Sequence, residues 1–126
     1  GAPMEDAPIE LSGKPAWLID QLGGHFQSLY FCDDPALIPE AMQMQLLGLA
    51  EAAIPVEPLV IARKAGPCHL RVVVDHEGLA FSRYDARPGT LYLARPDQHV
   101  AARWREAEVS RIVAAVTRAT ANFAEG

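Results

Sequence analysis

Cys32 has the setting best suited to nucleophilic chemistry in this sequence. It follows a predicted strand and precedes a predicted helix, and the N-terminus of a helix lowers the pKa of a thiol. The next residues are Asp33, Asp34 and Pro35, and carboxylates beside a sulfur raise its pKa and disfavour the thiolate. Cys32 is therefore a weak candidate for a catalytic thiol, and the alternative is a small structural side chain. The two aspartates are interpreted as a helix cap and its neighbour rather than as an acid/base pair.

The other residues that could ligate a metal or react as thiols are scattered along the chain. Cys68 follows Gly66 and Pro67 without a catalytic context, and the two cysteines match no zinc-site or C-x-x-C spacing. Two free thiols are expected, although a disulfide between Cys32 and Cys68 stays open. No histidine has a histidine at i, i+4 or a partnering cysteine, so the sequence predicts no metal site. The histidines are His25, His69, His76 and His99.

Arginine carries most of the positive charge, and it is concentrated around a predicted hairpin in the second half of the chain. Ion pairs with Asp75, Asp85 or Asp97 are one interpretation of these arginines. An anion-binding or partner-docking patch is the other. The candidates for this patch are Arg87, Arg95 and Arg103, and Arg83 and Arg105 are close to them in sequence.

The stretch from Tyr84 to Trp104 organises the second half of the chain. Residues 91–94 alternate as a strand requires, and Pro96-Asp97 is typical of the centre of a tight turn. Residues 100–104 alternate again on the return strand. Pro88-Gly89 keeps a helix from running into the first strand. These signals predict a β-hairpin.

Taken in order, the chain predicts a helix, a strand, a helix, two strands, a short helix, the hairpin and a terminal helix. Residues 1–4 are interpreted as a cloning remnant, residues 5–15 as an exposed lead-in and residues 16–124 as the domain. The predicted strands are 26–31, 56–62, 70–74, 91–94 and 100–104, and the predicted helices before the last are 16–22, 39–53 and 79–84. One face of the terminal helix is marked by Val109, Ile112, Val113, Val116, Ala119 and Phe123. This order predicts an α/β fold, with a mixed sheet of four to five strands, helices on both faces, and a C-terminal hairpin plus helix.

The composition and net charge argue against nucleic acid and anionic membranes as partners. The chain has 126 residues, of which 50% are hydrophobic and 21% charged, and its net charge is −5 at pH 7. A single globular domain is expected, and with no basic run nucleic acid and anionic membrane are not expected as partners. No apolar run approaches the ~20 residues that span a bilayer. A cytoplasmic location is expected.

The element order follows the thioredoxin-like plan, and several runs resemble one family in particular. VVVD-x-x-G, RYDARPGT, YLARPDQHVAARW and the alanine-rich last helix resemble the C-terminal domain of flavin-dependent aromatic-ring hydroxylases, of the phenol hydroxylase and 3-(3-hydroxyphenyl)propionate hydroxylase type. WLIDQLGGHFQSLYF resembles the start of that domain. The resemblance covers residues 8–121 and is most specific from Arg83 to Trp104.

The resemblance implies an accessory domain without activity of its own. The FAD- and NAD(P)H-dependent chemistry would belong to N-terminal flavin and substrate domains of a parent monooxygenase, and this chain lacks the G-x-G-x-x-G that would bind a dinucleotide. This domain would bind no cofactor and would pack on those domains or on a second copy. A face more apolar than a monomer needs would then be exposed, with Trp17 and the Met44 side of the second helix as candidates, whereas Met42 fills the core.

Thioredoxins place their redox pair where Cys32 lies, and they carry a cis-proline before the strand that faces it. Pro88 is near that place, so a cis bond before Pro88 is one of two predicted states. The rival function is a free-standing thioredoxin-like or peroxidase-like thiol oxidoreductase that uses Cys32 alone. A small binding module that uses the arginine-rich hairpin is a third interpretation.

Overall fold

The computed structural model describes residues 2–106 and 108–125, but not the side chains of residues 109 and 121–125. The predicted side-chain roles of Val109 and Phe123 thus lie outside the described residues. The strands are β1 (Pro8–Leu11), β2 (Lys14–Trp17), β3 (Phe26–Cys32), β4 (Val56–Ala62), β5 (Val72–Val74), β6 (Leu91–Ala94) and β7 (Val100–Trp104). The α-helices are α1 (Glu40–Ala50), α2 (Leu79–Arg83) and α3 (Val109–Glu125), with 3-10 turns at Leu18–Gln21 and Pro35–Leu37.

The strands form one mixed sheet in the order β2-β1-β5-β4-β3-β6-β7. The central strands β3, β4 and β5 are parallel, and the remaining pairs are antiparallel. Helices α1 and α3 cover one face and α2 covers the other, so the α/β class and the helices on both faces are confirmed. The seven strands exceed the predicted four to five because two more precede residue 18.

The first strands correct the prediction for residues 5–22. Ser12 (φ +54°) and Gly13 (φ +78°) make a two-residue turn with both residues in the left-handed region, which suits a tight hairpin. β1 pairs with β2 from Leu11–Lys14 outward, and Glu10 also pairs with Val74 of β5. The stretch expected to be an exposed lead-in is therefore part of the sheet. The helix predicted over residues 16–22 is wrong at residues 16 and 17, which belong to β2, and residues 18–21 form a 3-10 turn.

Residues 2–7, here called the N-terminal strap, cross the α2 face of the sheet. The Met4 N–H donates to the Gln98 carbonyl (2.8 Å) and the Val100 N–H donates to the Ala2 carbonyl (2.8 Å), so the strap begins beside the β6–β7 turn. It ends at β1, near the opposite edge of the sheet. The Met4 side chain is only 7% exposed, and Ala7 is fully buried. The strap is an integral layer of the core.

The two faces of the sheet bury separate cores. Beneath α1 and α3 the core is mostly aliphatic, and Val60, Leu46 and Ile112 are fully buried in it. Beneath α2 it contains an aromatic cluster of Phe31, Phe81, Tyr84 and Tyr92, whose neighbouring ring centroids are 5.1–5.9 Å apart. Such edge and tilted contacts add to the energy of burial.

The remaining predicted elements differ from the structure mainly at their ends. Helix α1 is shorter than predicted, with Pro39 preceding its first turn, and β5 begins two residues later. The predicted hairpin is confirmed: Gln98 (φ +63°) lies in its turn, and the register of the two strands shifts between Leu93 and Ala94. Within β4, Pro58 precedes the residues 60–62 that pair with β5, so its missing N–H leaves no gap in that ladder. No helix in the described ranges is long and apolar enough to cross a membrane.

Alkaline pH is expected to destabilise this fold. The Tyr84 hydroxyl donates to the Glu5 carbonyl of the strap (2.5 Å) and the Tyr92 hydroxyl donates to the Tyr84 carbonyl (2.5 Å). Burial raises the pKa of both phenols, so the folded state resists their ionisation. Because the folded pKa lies above the unfolded value, the stability is fully present below about pH 10 and is lost as the pH rises further. The free energy of unfolding, measured by urea denaturation, should be about 1–2 kcal/mol lower at pH 11.5 than at neutral pH.

Tyr84→Phe is the matched variant for this pH dependence. It removes one ionisable phenol but keeps the ring, so its free energy of unfolding should fall less steeply above about pH 10. An identical slope in the two proteins would show that Tyr84 is not responsible.

Candidate functional site

Cys32 ends β3 in the middle of the sheet, beside the end of the parallel strand β4. Its register partner is Ala62, and its side chain is 7% exposed. The residues after it form a short 3-10 turn in which the Asp34 carboxylate accepts a hydrogen bond from the Ala36 N–H (3.0 Å). Helix α1 begins only at Glu40, so the thiol does not lie at the N-terminus of an α-helix. The cap interpretation of Asp34 is confirmed.

The electrostatics around Cys32 oppose a thiolate. Burial, the neighbouring Cys68, and then Asp33 and Asp34 raise the pKa of the Cys32 thiol to about 12. A thiol with this pKa is protonated at neutral pH, and the thiolate is the reactive form. In this structure the Cys32 thiol is buried in the apolar core.

A loop at Arg63–Cys68, here called the covering loop, closes over this end of the sheet. Arg63 pairs with Asp33 (Nη1–Oδ1 2.8 Å), and Lys64 pairs with Asp34 (Nζ–Oδ2 3.3 Å). Because β3 and β4 are parallel neighbours, the acidic residues after one strand face the basic residues after the other. Sequence analysis missed this pairing, although opposite charges directly after two successive strands were a usable signal.

Gly66 is the point at which the covering loop touches the 3-10 turn. A Cβ at this position would lie 2.8 Å from Asp34 Oδ1 and 3.2 Å from Pro35 Cδ. Gly66→Ala should therefore lower the free energy of unfolding by about 1–2 kcal/mol, because the loop must lift off the turn. The measurement is urea denaturation.

Gly48→Ala is the matched control for this substitution. A Cβ at Gly48, inside α1, would meet nothing within 4 Å. Replacing a helical glycine by alanine there should stabilise the protein by about 0.5–1 kcal/mol. Equal stability of Gly66→Ala and the wild type would mean that the loop does not press on the turn.

Three glutamines hold the loops around the sheet. Gln43 of α1 accepts from the His69 N–H (2.8 Å) and donates to the Ile38 carbonyl (2.9 Å), which fixes the chain after the covering loop. Gln27 accepts from the Gly23 N–H (2.9 Å), and Gln98 donates to the Leu22 carbonyl (3.0 Å) at the opposite end of β3. Sequence analysis missed these side chains because a single glutamine carries no burial signal.

Asp75 is a buried carboxylate, 2% exposed, at the end of β5. Its two oxygens accept hydrogen bonds from the Ala80 N–H (3.1 Å) and the Phe81 N–H (2.9 Å) at the start of α2. A carboxylate bound in this way satisfies backbone donors that would otherwise be unpaired. Asp75 is a structural cap and is not available for acid/base chemistry.

The peptide bond before Pro88 is trans, since no cis bond occurs among the described residues, so the structure shows the trans form of the two predicted states. Pro88 and Gly89 form the centre of a turn in which the Thr90 N–H donates to the Arg87 carbonyl (2.9 Å). Gly89 has φ +98°, as the second central residue of a type II turn requires. A proline at the first central position of such a turn is trans.

The predicted arginine patch is divided. Arg103 and Arg105 both approach Asp85 (3.2 and 3.4 Å), and their hydrogen bonds lower the pKa of that exposed carboxyl. Arg95 pairs with Asp97 (2.5 Å) in the hairpin turn, at the other end of β6–β7 from Arg103. Arg87 is exposed and precedes β6. Arg95 and Arg103 thus lie at opposite ends of the hairpin, each in a local ion pair.

Histidines and exposed apolar side chains complete the inventory of the surface. Among the described residues no three metal-ligating side chains are grouped, and His69 contacts Glu40 (3.1 Å).

Trp17 and Met44 are 53% and 55% exposed, so both predicted face residues lie at the surface. A separate apolar groove lies between the end of α1 and α3, and it is lined by Leu49, Ala52, Ala53, Ile54, Val56, Val113, Val116 and Thr117.

The sequence matches no protein-family model and no curated protein. The similar solved structures fall into two groups: large flavoenzymes of which this chain matches a part, and proteins that it matches along nearly their whole length. Aklavinone-11 hydroxylase, solved with FAD and aklavinone, has a TM-score of 0.70 at 20% identity over 94% of this chain. The flavin-dependent monooxygenase PieE has a TM-score of 0.62 at 23% identity. This chain spans 20% and 17% of those two proteins.

A second group of similar structures consists of proteins matched along nearly their whole length. The putative thiol:disulfide interchange protein DsbE from Chlorobium tepidum has a TM-score of 0.65 at 14% identity, with 96% of this chain and 95% of that protein covered. These identities show a shared fold alone. The fold is thioredoxin-like.

Proposed function

We propose that this chain is an accessory, non-catalytic domain of a flavin-dependent aromatic hydroxylase. The observation that carries the proposal is the closed end of the sheet, where Cys32 is buried, paired with no second cysteine in a C-x-x-C, and covered by Arg63–Cys68. A thiol enzyme of this fold would need an exposed thiolate at that position. The similarity to parts of two flavoenzymes supports the parent class.

In this proposal the domain binds no cofactor, and FAD and NAD(P)H are bound by the flavin and substrate domains of the parent. Its partners are those domains of the same parent chain or a second copy. Half-exposed Trp17 and Met44 lie on the surface that would meet them. The arginines of the hairpin contribute local ion pairs with Asp85 and Asp97.

The second candidate is a free-standing thiol oxidoreductase or peroxidase that uses Cys32. Whole-length similarity to thiol proteins favours it, because this chain covers 95% of the DsbE-like structure but 20% of the hydroxylase. This function would require the covering loop to leave and the pKa of Cys32 to fall far below about 12. The two candidates therefore differ in the reactivity of one sulfur.

The deciding experiment measures alkylation of Cys32 by iodoacetamide at pH 7. In Cys68→Ser, Cys32 is the remaining cysteine, and the accessory function predicts alkylation at least about 100-fold slower in the native protein than in urea. Rapid alkylation in the native state, together with turnover of a peroxide or a disulfide, would establish the thiol function instead. Cys32→Ser is the control for the reactivity of Cys68.

The accessory function also predicts the coding context. The reading frame upstream of this sequence should continue for several hundred codons and begin with a strand, a G-x-G-x-x-G and a helix. Absence of any flavin-binding segment in that frame would contradict it. This result is independent of the thiol experiment.

A further inference from the structure

We propose that Cys32 and Cys68 are a redox pair, and that a small-molecule disulfide such as oxidised glutathione links them within one chain. The linkage would lock the covering loop onto the end of β3. The inference does not rest on the proposed function, because an accessory domain and a free-standing protein could both carry such a lock. Both cysteines are free in this structure.

The first support is the contact between the two segments that bear the cysteines. Asp34, two residues after Cys32, lies against Gly66, two residues before Cys68, so closely that a Cβ at Gly66 would be 2.8 Å from its carboxylate. The pairs Arg63–Asp33 and Lys64–Asp34 join the same segments. The chain therefore brings the neighbourhoods of the two sulfurs together.

The second support is that both cysteine side chains pack in the same hydrophobic core. Cys32 belongs to the aliphatic core beneath α1, and the half-buried Cys68 packs against that same core. The Cys68 thiol lies 3.4 Å from the carbonyl of Leu70, which is also part of this core.

The covering loop can adjust to the geometry of a disulfide. The ion pairs that hold it lie at the surface, where such pairs contribute little stability. Pro67 and Ala65 are exposed, so a small shift of the loop displaces solvent rather than core. The buried Cys32 stays in place as the fixed half of the pair.

The chemistry balances as two thiol–disulfide exchanges. The Cys68 thiolate attacks oxidised glutathione, forms a mixed disulfide and releases one glutathione thiolate. The Cys32 thiol then loses its proton to that thiolate and attacks the Cys68 sulfur, which expels the second glutathione. Two protein thiols are oxidised and one glutathione disulfide is reduced to two thiols. The half-buried Cys68 thiol reacts first, because the Cys32 thiol is buried and protonated.

The experiment incubates the native full chain in glutathione buffers of increasing oxidation. Intact mass should fall by two hydrogen atoms, and a digest without reductant should yield one linked peptide pair containing Cys32 and Cys68. The oxidised protein should melt at a higher temperature than the reduced protein, because the link constrains the unfolded chain. Cys32→Ser should retain a glutathione adduct on Cys68 under the same conditions.

Three results would overturn the proposal. These are glutathione adducts without the internal link in the wild type, a link between two chains, or an oxidised form that melts below the reduced one. Peptide mapping of the wild type decides the question even if Cys32→Ser fails to fold. The alkylation test of the proposed function uses Cys68→Ser, which cannot form the link, so the two tests fail independently.

Discussion

Met4→Ala is expected to lower the free energy of unfolding by about 3 kcal/mol. Met4 lies in the N-terminal strap with 7% exposure and packs into the core that contains the aromatic cluster. Truncating a buried methionine to alanine typically costs 2–5 kcal/mol, because apolar contacts are lost and a cavity remains. Urea denaturation followed by far-UV circular dichroism measures the loss.

Glu5→Ala is the matched control for the strap. The Glu5 side chain is exposed, and the contact it makes with the core is its carbonyl, which accepts from the Tyr84 hydroxyl (2.5 Å) and is kept in alanine. Its stability should stay within about 0.5 kcal/mol of the wild type. If Met4→Ala were as stable as this control, residues 2–7 would be an exposed lead-in after all.

Asp75→Ala should cost about 2–4 kcal/mol, comparable to the loss at the strap. It leaves the N–H groups of Ala80 and Phe81 without their carboxylate acceptor in a buried site. An unsatisfied buried donor costs its full desolvation penalty. The ring centroids of Phe81 and Phe31 are 5.2 Å apart, so the near-UV circular dichroism of the aromatic cluster should change as well.

Glu77→Ala tests whether the loss is specific to the buried carboxylate. Glu77 is exposed two residues later, and its surface contact with His76 (3.4 Å) contributes little. It should change stability by less than about 0.5 kcal/mol. A small effect of Asp75→Ala, similar to that of Glu77→Ala, would show that the carboxylate does not hold the start of α2.

The sequence was most informative where the local pattern and the tertiary environment agree. The apolar run Phe26–Cys32 predicts a strand buried on both faces, and it lies at the centre of the sheet. Pro96-Asp97 predicts the turn of the hairpin, because the two residue types favour its dihedral angles in any context. The spacing of Leu46 and Leu49 predicts α1, and both are buried.

Prediction failed where distant parts of the chain decide the outcome. Residues 2–7 carry no strand or helix pattern, and their burial depends on the groups around Gln98 and Tyr84, far along the sequence. Ser12-Gly13 was a turn signal, but prolines and acidic residues around it suggested solvent exposure. The cis-proline expectation transferred a feature of thioredoxins to Pro88, where the local Pro-Gly turn requires the trans form.

The position of the candidate site could be predicted from the sequence, but its closure by the covering loop could not. The Cys32 position follows from the first core strand and the turn after it. Its closure depends on Arg63, Lys64 and Gly66, which lie about thirty residues further on and act through parallel pairing of β3 with β4. The acidic neighbours alone indicated a raised thiol pKa in the right direction, and burial is the larger cause.

The glutamine side chains that fix the loops form hydrogen bonds that should persist at high salt concentration and at low pH. Amides carry no net charge, so the bonds of Gln27, Gln43 and Gln98 are neither screened by salt nor titrated by acid. The surface pairs of Arg63 and Lys64 are screened. Concentrated salt should therefore weaken these two surface pairs, whereas the amide hydrogen bonds that hold the chain around the covering loop should persist.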